Sequence, residues 1–174
     1  MRTGTIVCFC AGLASLQAQN TLKTTNIDRY YNPVKQNIIA AAEQMPADKY
    51  EFRLSPGQMT FGEWINHSTE RNYLDCSVLR GEPNPMPKAQ TDLIKGKADV
   101  VRNLKDSFSY CDGTFEKLDD VKILSTPQLT FSFLHTAVHN NEIYGNIVGY
   151  LRVSGIVPPS TERMQNMSKN KKKQ

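Results

Sequence analysis

The stretch from Thr126-Pro127-Gln128 to Gly155-Ile156-Val157-Pro158-Pro159 constrains this chain most, because it reads as one long helix with both ends written into it. Ser125 or Thr126 offers an N-cap oxygen, and Pro127 suits the first helical position, where a missing N–H has no partner to lose. At the far end Gly155 can take the left-handed conformation past the last turn. Arg152 opposes the negative end of the dipole there, and Pro158-Pro159 cannot continue the helix. Between these ends Leu129, Phe133, Val138, Tyr144, Ile147, Val148 and Leu151 recur at mostly helical intervals. Inside that pattern runs a polar stripe. Ser132, His135, His139, Glu142 and Asn146 follow steps of three and four, so they stack along one side of the rod.

A chain of 174 residues with 22% charged side chains is long enough for one domain with a true core and too short to expect two. Its formal charge of +4 is unevenly placed. Arg163, Lys169, Lys171, Lys172 and Lys173 crowd the C-terminal end, whereas residues 19–160 hold fifteen basic against sixteen acidic side chains. A nearly neutral body argues against a nucleic-acid-binding surface, which needs a basic face to displace counterions.

Residues 1–18 read as an export signal: Arg2, an apolar run from Ile6 to about Ala14, then the small-residue region ending at Ala18. The apolar run is too short to span a membrane. A periplasmic or extracellular location is therefore expected, with no stable membrane association once the signal is removed. Cys76 and Cys111 then remain in the mature chain. They form one disulfide or pack as two small buried side chains; sequence leaves both open.

Taken in order, the remaining body predicts three more helices. The first begins near Pro33 and ends before Pro46. The second is launched by Thr60-Phe61-Gly62-Glu63, a capping box, and closes at Gly81. The third runs from about Thr91 or Asp92 to Lys117, facing Leu93, Ile94, Leu104, Phe108 and Cys111 inward. Residues 119–124 are expected as a short connection, briefly extended. No strand-like alternation intervenes, so the fold class is all-α, a four-helix bundle over residues 19–160. Residues 161–174, polar and lysine-rich, are expected to be a basic disordered tail.

Three histidines, all on predicted helices, carry the strongest chemical signal. His135 and His139 stand four apart, a spacing able to share a metal, and His67 sits centrally on another helix. Imidazoles from two facing rods meeting inside a bundle are one way such folds build metal sites. Equally, each is a residue type that simply hydrogen-bonds in a core. Asn66-His67-Ser68 and Asn166-Met167-Ser168 fit the glycosylation pattern, which recurs by chance.

Several blocks carry a family resemblance. Trp64 with His67 is followed by Asn72-Tyr73-x-x-Cys76-Ser77-x-Leu79-x-Gly81, then by Ser107-Phe108-x-Tyr110-Cys111-Asp112. Later come His139-Asn140-Asn141-Glu142-x-Tyr144-Gly145-Asn146, Tyr150-Leu151-Arg152 and Gly155-Ile156-Val157-Pro158-Pro159. Across essentially the whole mature body the chain resembles the DinB-like superfamily, also called DinB/YfiT-like. The resemblance implies a four-helix bundle holding a divalent metal, often nickel or zinc, through one histidine on the second helix and two on the fourth. It also implies a small-molecule substrate, some relatives being thiol-dependent S-transferases or hydrolases. His67 matches the second-helix ligand and His139 the first of the fourth. The last ligand is expected two residues before Gly145, and there the chain has Ile143.

Isoleucine cannot bind a metal, so the site is reduced, rebuilt or lost. His135, one turn earlier, is the candidate to rebuild a three-imidazole set with His67 and His139. Glu142 is the other candidate, as an oxygen ligand or as an acceptor holding a histidine tautomer, and Glu142 or Glu63 is the candidate catalytic base. The opposing expectation is a non-catalytic binding or structural bundle that kept the fold without the metal. The sequence leaves the oligomeric state open, a homodimer paired through exposed helix faces being one arrangement such a bundle can take.

Overall fold

The computed structural model describes residues 27–171. The export-signal reading, with Cys8 and Cys10, lies outside the described residues. All regular structure within them is helical: α1 (Asp28–Gln44), a 3₁₀ turn (Ala47–Lys49), α2 (Phe61–Arg80), α3 (Lys88–Thr91), α4 (Lys97–Phe115), α5 (Asp120–Ser125), α6 (Pro127–Val153) and α7 (Pro159–Lys171). None of the helices is long and apolar enough to cross a membrane. The longest four close a ring in which α2 lies against α4 and α6, and α1 against the same two.

Local signals account for most helix ends. Glu63 N–H donates to Thr60 Oγ1 at 3.1 Å while Thr60 N–H donates to Glu63 Oε2 at 2.7 Å, so the capping box forms in full. Gly81 ends α2 with φ 68°, and Glu82 N–H reaches back to the Ser77 carbonyl. The end of α6 is built the same way. Gly155 has φ 74°, its N–H bonds to the Arg152 carbonyl, and Ile156 N–H bonds to the Leu151 carbonyl. At the start of α6 Thr126 is the N-cap, but its side chain makes no capping bond.

Several boundaries differ from the sequence reading. The first helix starts at Asp28 and carries Pro33 inside it. Ile27, Tyr31 and Val34, all under 9% exposed, share the face that continues through Ile38 and Met45. Burial of that extra turn outweighs the one hydrogen bond proline forfeits. The expected third helix is split, because Gly96 at φ 77° turns the chain between α3 and α4. Leu93, expected inside, is 78% exposed there. Residues 120–125 are helical rather than extended, capped by Asp119, whose carboxylate accepts from Lys122 N–H at 2.8 Å.

The expectation of disorder from residue 161 also gives way. Pro159 takes the first position of α7, the counterpart of Pro127 in α6, and the chain turns back onto the body. Tyr144 Oη donates to Ser160 Oγ at 2.9 Å and accepts from Ser160 N–H at 3.0 Å. Arg163 donates to the side-chain Oδ1 of the buried Asn37 of α1. Composition pointed to a solvated tail; these contacts with α1 and α6 supply what composition does not show.

The core is aliphatic and aromatic, with Ile38, Met45, Phe61, Ile65, Leu104, Phe108, Ile143, Ile147 and Leu151 all at most 1% exposed. Cys76 and Cys111 are joined in a disulfide between α2 and α4, their Cα atoms 5.4 Å apart. A polar chain crosses the same interior. Ser68 donates to Asn140 Oδ1 (2.6 Å), Asn140 to Asn72 Oδ1 (2.7 Å) and Asn72 to Ser107 Oγ (3.0 Å). Ser107 passes its own hydrogen to the Leu104 carbonyl, so every member is satisfied. This chain fixes the register of α2 against α6, and with it His67 and His139, the sequence neighbours of Ser68 and Asn140.

Candidate functional site

Helix α2 presents His67, Glu70, Arg71 and Asp75 at i, i+3, i+4 and i+8, and α6 presents Phe131, His135, His139 and Glu142 at i, i+4, i+8 and i+11. Since the two helices pack together, these side chains meet. His67 and His139 approach with Nε2 atoms 2.9 Å apart, ring centroids 5.0 Å apart and ring planes crossed at 88°. Each has a carboxylate behind it. Glu142 Oε2 lies 2.9 Å from His139 Nδ1, and Glu70 Oε2 lies 3.5 Å from His67 Nδ1.

A carboxylate only accepts, so Glu142 assigns the His139 proton to Nδ1, and the nearby charge of Glu70 favours the same tautomer in His67. Both Nε2 lone pairs then point at one another. Bare lone pairs repel at 2.9 Å, so the pair calls for a shared proton or a cation between them. Burial pulls the His139 pKa below the ordinary histidine range, against the opposing hydrogen bond to Glu142. The hydrogen bond from His67 holds the Glu70 carboxyl below its ordinary range, against the effect of its burial.

His135 belongs to a different cluster. Its Nδ1 lies 2.7 Å from Asp75 Oδ2, and its ring is stacked between Phe131 (5.0 Å, 21°) and His139 (4.6 Å, 13°). Imidazole lone pairs lie in the ring plane, so two near-parallel stacked rings do not converge on one ion. The three-imidazole set of His67, His139 and His135 is therefore not formed. Arg71 Nη2 stands 3.4 Å from Asp75 Oδ1 and 3.3 Å from His135 Nδ1; the shorter Asp75 contact is the one that takes the His135 proton. Burial pushes the Asp75 carboxyl up, although His135 and Arg71 oppose it.

Ile143 is fully buried and offers no donor atom. Among the described residues no group of three histidine, cysteine, aspartate or glutamate side chains is placed to hold a metal. The donor set is thus two imidazoles. Two ligands of a tetrahedral ion, each at about 2.0–2.1 Å, stand roughly 3.3 Å apart, so the 2.9 Å pair needs a few tenths of an ångström of opening to fit one. Glu142, 64% exposed, stands behind His139 and not before the Nε2 pair, which makes it a positioning group. Glu63 is engaged in the α2 cap, and the hydrogen bond from the Thr60 backbone holds its carboxyl low.

Asp75, Glu70 and Arg71 escaped the sequence reading. Their signal was present: with His67 they form an i, i+3, i+4, i+8 polar run inside a helix whose other side is apolar. Asn66 of the first glycosylation pattern is 7% exposed and donates its amide to the Ile94 carbonyl, so that pattern is closed by the fold. No protein-family model, curated protein or solved structure matches this chain.

Proposed function

We propose that this protein is an exported four-helix bundle of the DinB-like kind whose His67–His139 pair binds a divalent cation, nickel or zinc, as a reduced two-imidazole centre acting on a small molecule. The observation that carries this reading is the facing of two Nε2 atoms at 2.9 Å with a carboxylate behind each ring. Carboxylate support behind a ligating histidine fixes its tautomer and raises its basicity, so the pair is preorganised toward a positive species. When bound, such an ion supplies Lewis acidity, lowering the pKa of a water or thiol to near neutrality. His67 and His139, at 29% and 22% side-chain exposure, are open enough to admit an exogenous ligand. Glu142 and Glu70 hold the two rings in register. The Cys76–Cys111 disulfide agrees with an oxidising compartment.

A second reading has its own support in Ile143, a buried hydrocarbon where the resemblance places the third ligand. In that reading the bundle is a non-catalytic binding or structural module and the two imidazoles share a proton. Elemental analysis of protein purified without chelator or affinity-tag histidines separates the two. The proposal expects about one equivalent of divalent metal, or recovery of that stoichiometry on adding nickel or zinc. A content near zero that added metal does not change establishes the module reading.

A further inference from the structure

Helix α6 packs against α1 and α2, and along its first half the side turned away from both is apolar. Phe131, Leu134 and Val138 stand there at 61%, 45% and 57% exposure, and their steps of three and four set them on one ridge. From Pro127 to Asn141 the helix carries no Asp, Glu, Lys or Arg. A surface helix ordinarily turns charged side chains outward, so this face has the charge depletion of a protein interface centre. At these exposures the three side chains leave roughly 300 Å² of apolar surface in water. Two copies joined along the ridge hide about twice that, which at an apolar share near 60% corresponds to roughly 1,000 Å² of interface, the lower end for specific association.

The two ends of the ridge decide which partner fits. Eight residues after Leu134 comes Glu142, 64% exposed and the one charged side chain of α6 before Arg152. Eight residues before Leu134 comes Thr126, the N-cap, whose side chain makes no capping bond and whose helix has no acidic residue in its first turn. The N–H groups of that turn carry the positive end of the helix dipole. Two copies crossed antiparallel about Leu134 therefore set each Glu142 level with the first turn of the other's α6. The same crossing drops each Phe131 between the other's Leu134 and Val138. A parallel pair would instead bring the two Glu142 carboxylates side by side, and an anionic phospholipid surface would meet the same carboxylate. The ridge is thus complementary to itself, in one direction only.

We infer that the Phe131–Leu134–Val138 ridge is the interface of an antiparallel homodimer whose two-fold axis passes beside Leu134. Phe131 stacks on His135 and Glu142 holds His139, so each copy braces the other's histidine cluster. The inference rests on this ridge and not on a bound metal.

Sedimentation equilibrium of the full chain, with chelator present and over roughly 1–300 µM, should show a reversible monomer–dimer exchange with a Kd of about 10–100 µM. Leu134→Asp sets two carboxylates against each other at the axis and is expected to weaken pairing at least about a hundredfold. Val138→Asp, at a still more exposed position, is expected to act in the same direction. If either variant fails to fold by circular dichroism, the other decides, together with a cysteine link. In Leu134→Cys the two copies should join through position 134 under mild oxidation, located by mass spectrometry, whereas Val153→Cys near the far end of α6 should not link to itself. A monomer throughout the concentration range, a dimer unchanged in the Asp variants, or linkage at 153 in place of 134 overturns the inference. A monomer that binds phosphatidylglycerol vesicles also overturns it and gives the ridge to a lipid surface. Because the chelator removes any metal, failure here leaves the metal assay above untouched.

Discussion

Ile143→His restores an imidazole at the position where the resemblance places the third ligand, one turn beyond His139 on α6. Ile143 is fully buried, so the metal-free variant loses most of the ~1.5–3 kcal/mol that burying this side chain contributes. The new ring brings an N–H and a lone pair without partners, a further ~1–3 kcal/mol. Together the metal-free protein should be destabilised by roughly 3–5 kcal/mol. Zinc at about a hundredfold over its Kd then returns ~2.7 kcal/mol, provided the ring joins His67 and His139. Urea unfolding followed by circular dichroism, with chelator and with zinc, reads both effects. The variant's midpoint should fall sharply in chelator and recover by about half or more in zinc, a larger gain than the parent shows. If zinc stabilises the variant no more than the parent, position 143 does not face the histidine pair and the reasoning about the missing ligand is wrong.

Two further perturbations probe the scaffold that holds the site. Asn140→Leu strands the Ser68 hydroxyl and Asn72 Oδ1 in a region where Asn140 is 1% exposed, and should cost about 2–4 kcal/mol in urea unfolding. A loss under about 0.5 kcal/mol would show that the polar chain does not fix α2 against α6. Replacing both cysteines with alanine removes a link across 35 residues, and should cost about 4 kcal/mol by loop-closure entropy. An unchanged midpoint in the double variant would place the constraint elsewhere.

What the sequence made legible was the punctuation. Thr60 and Glu63, Gly81, Pro127 and Gly155 act at the positions their chemistry predicts, because a cap or a left-handed residue works through its nearest neighbours. What it hid was set by distant packing. Pro33 sits inside α1 because Ile27, Tyr31 and Val34 are buried together, and α7 forms because Tyr144 and Asn37 receive it. The site divides the same way. The pairing of His67 with His139 is what the resemblance implies, since spacing within either helix alone does not say which residues of two rods meet. That His135 turns away depends on Asp75, a buried carboxylate on the other helix that no spacing within α6 reveals.

Long-range ¹H–¹⁵N NMR of the histidine rings tests the central claim most directly. In metal-free protein at a pH above the histidine range, His139 should appear as the Nδ1–H tautomer, its proton held by Glu142. Added zinc should move the Nε2 resonances of His67 and His139 together and leave His135 in place. An Nε2–H tautomer at His139, or zinc shifting one of the pair alone, would contradict the account.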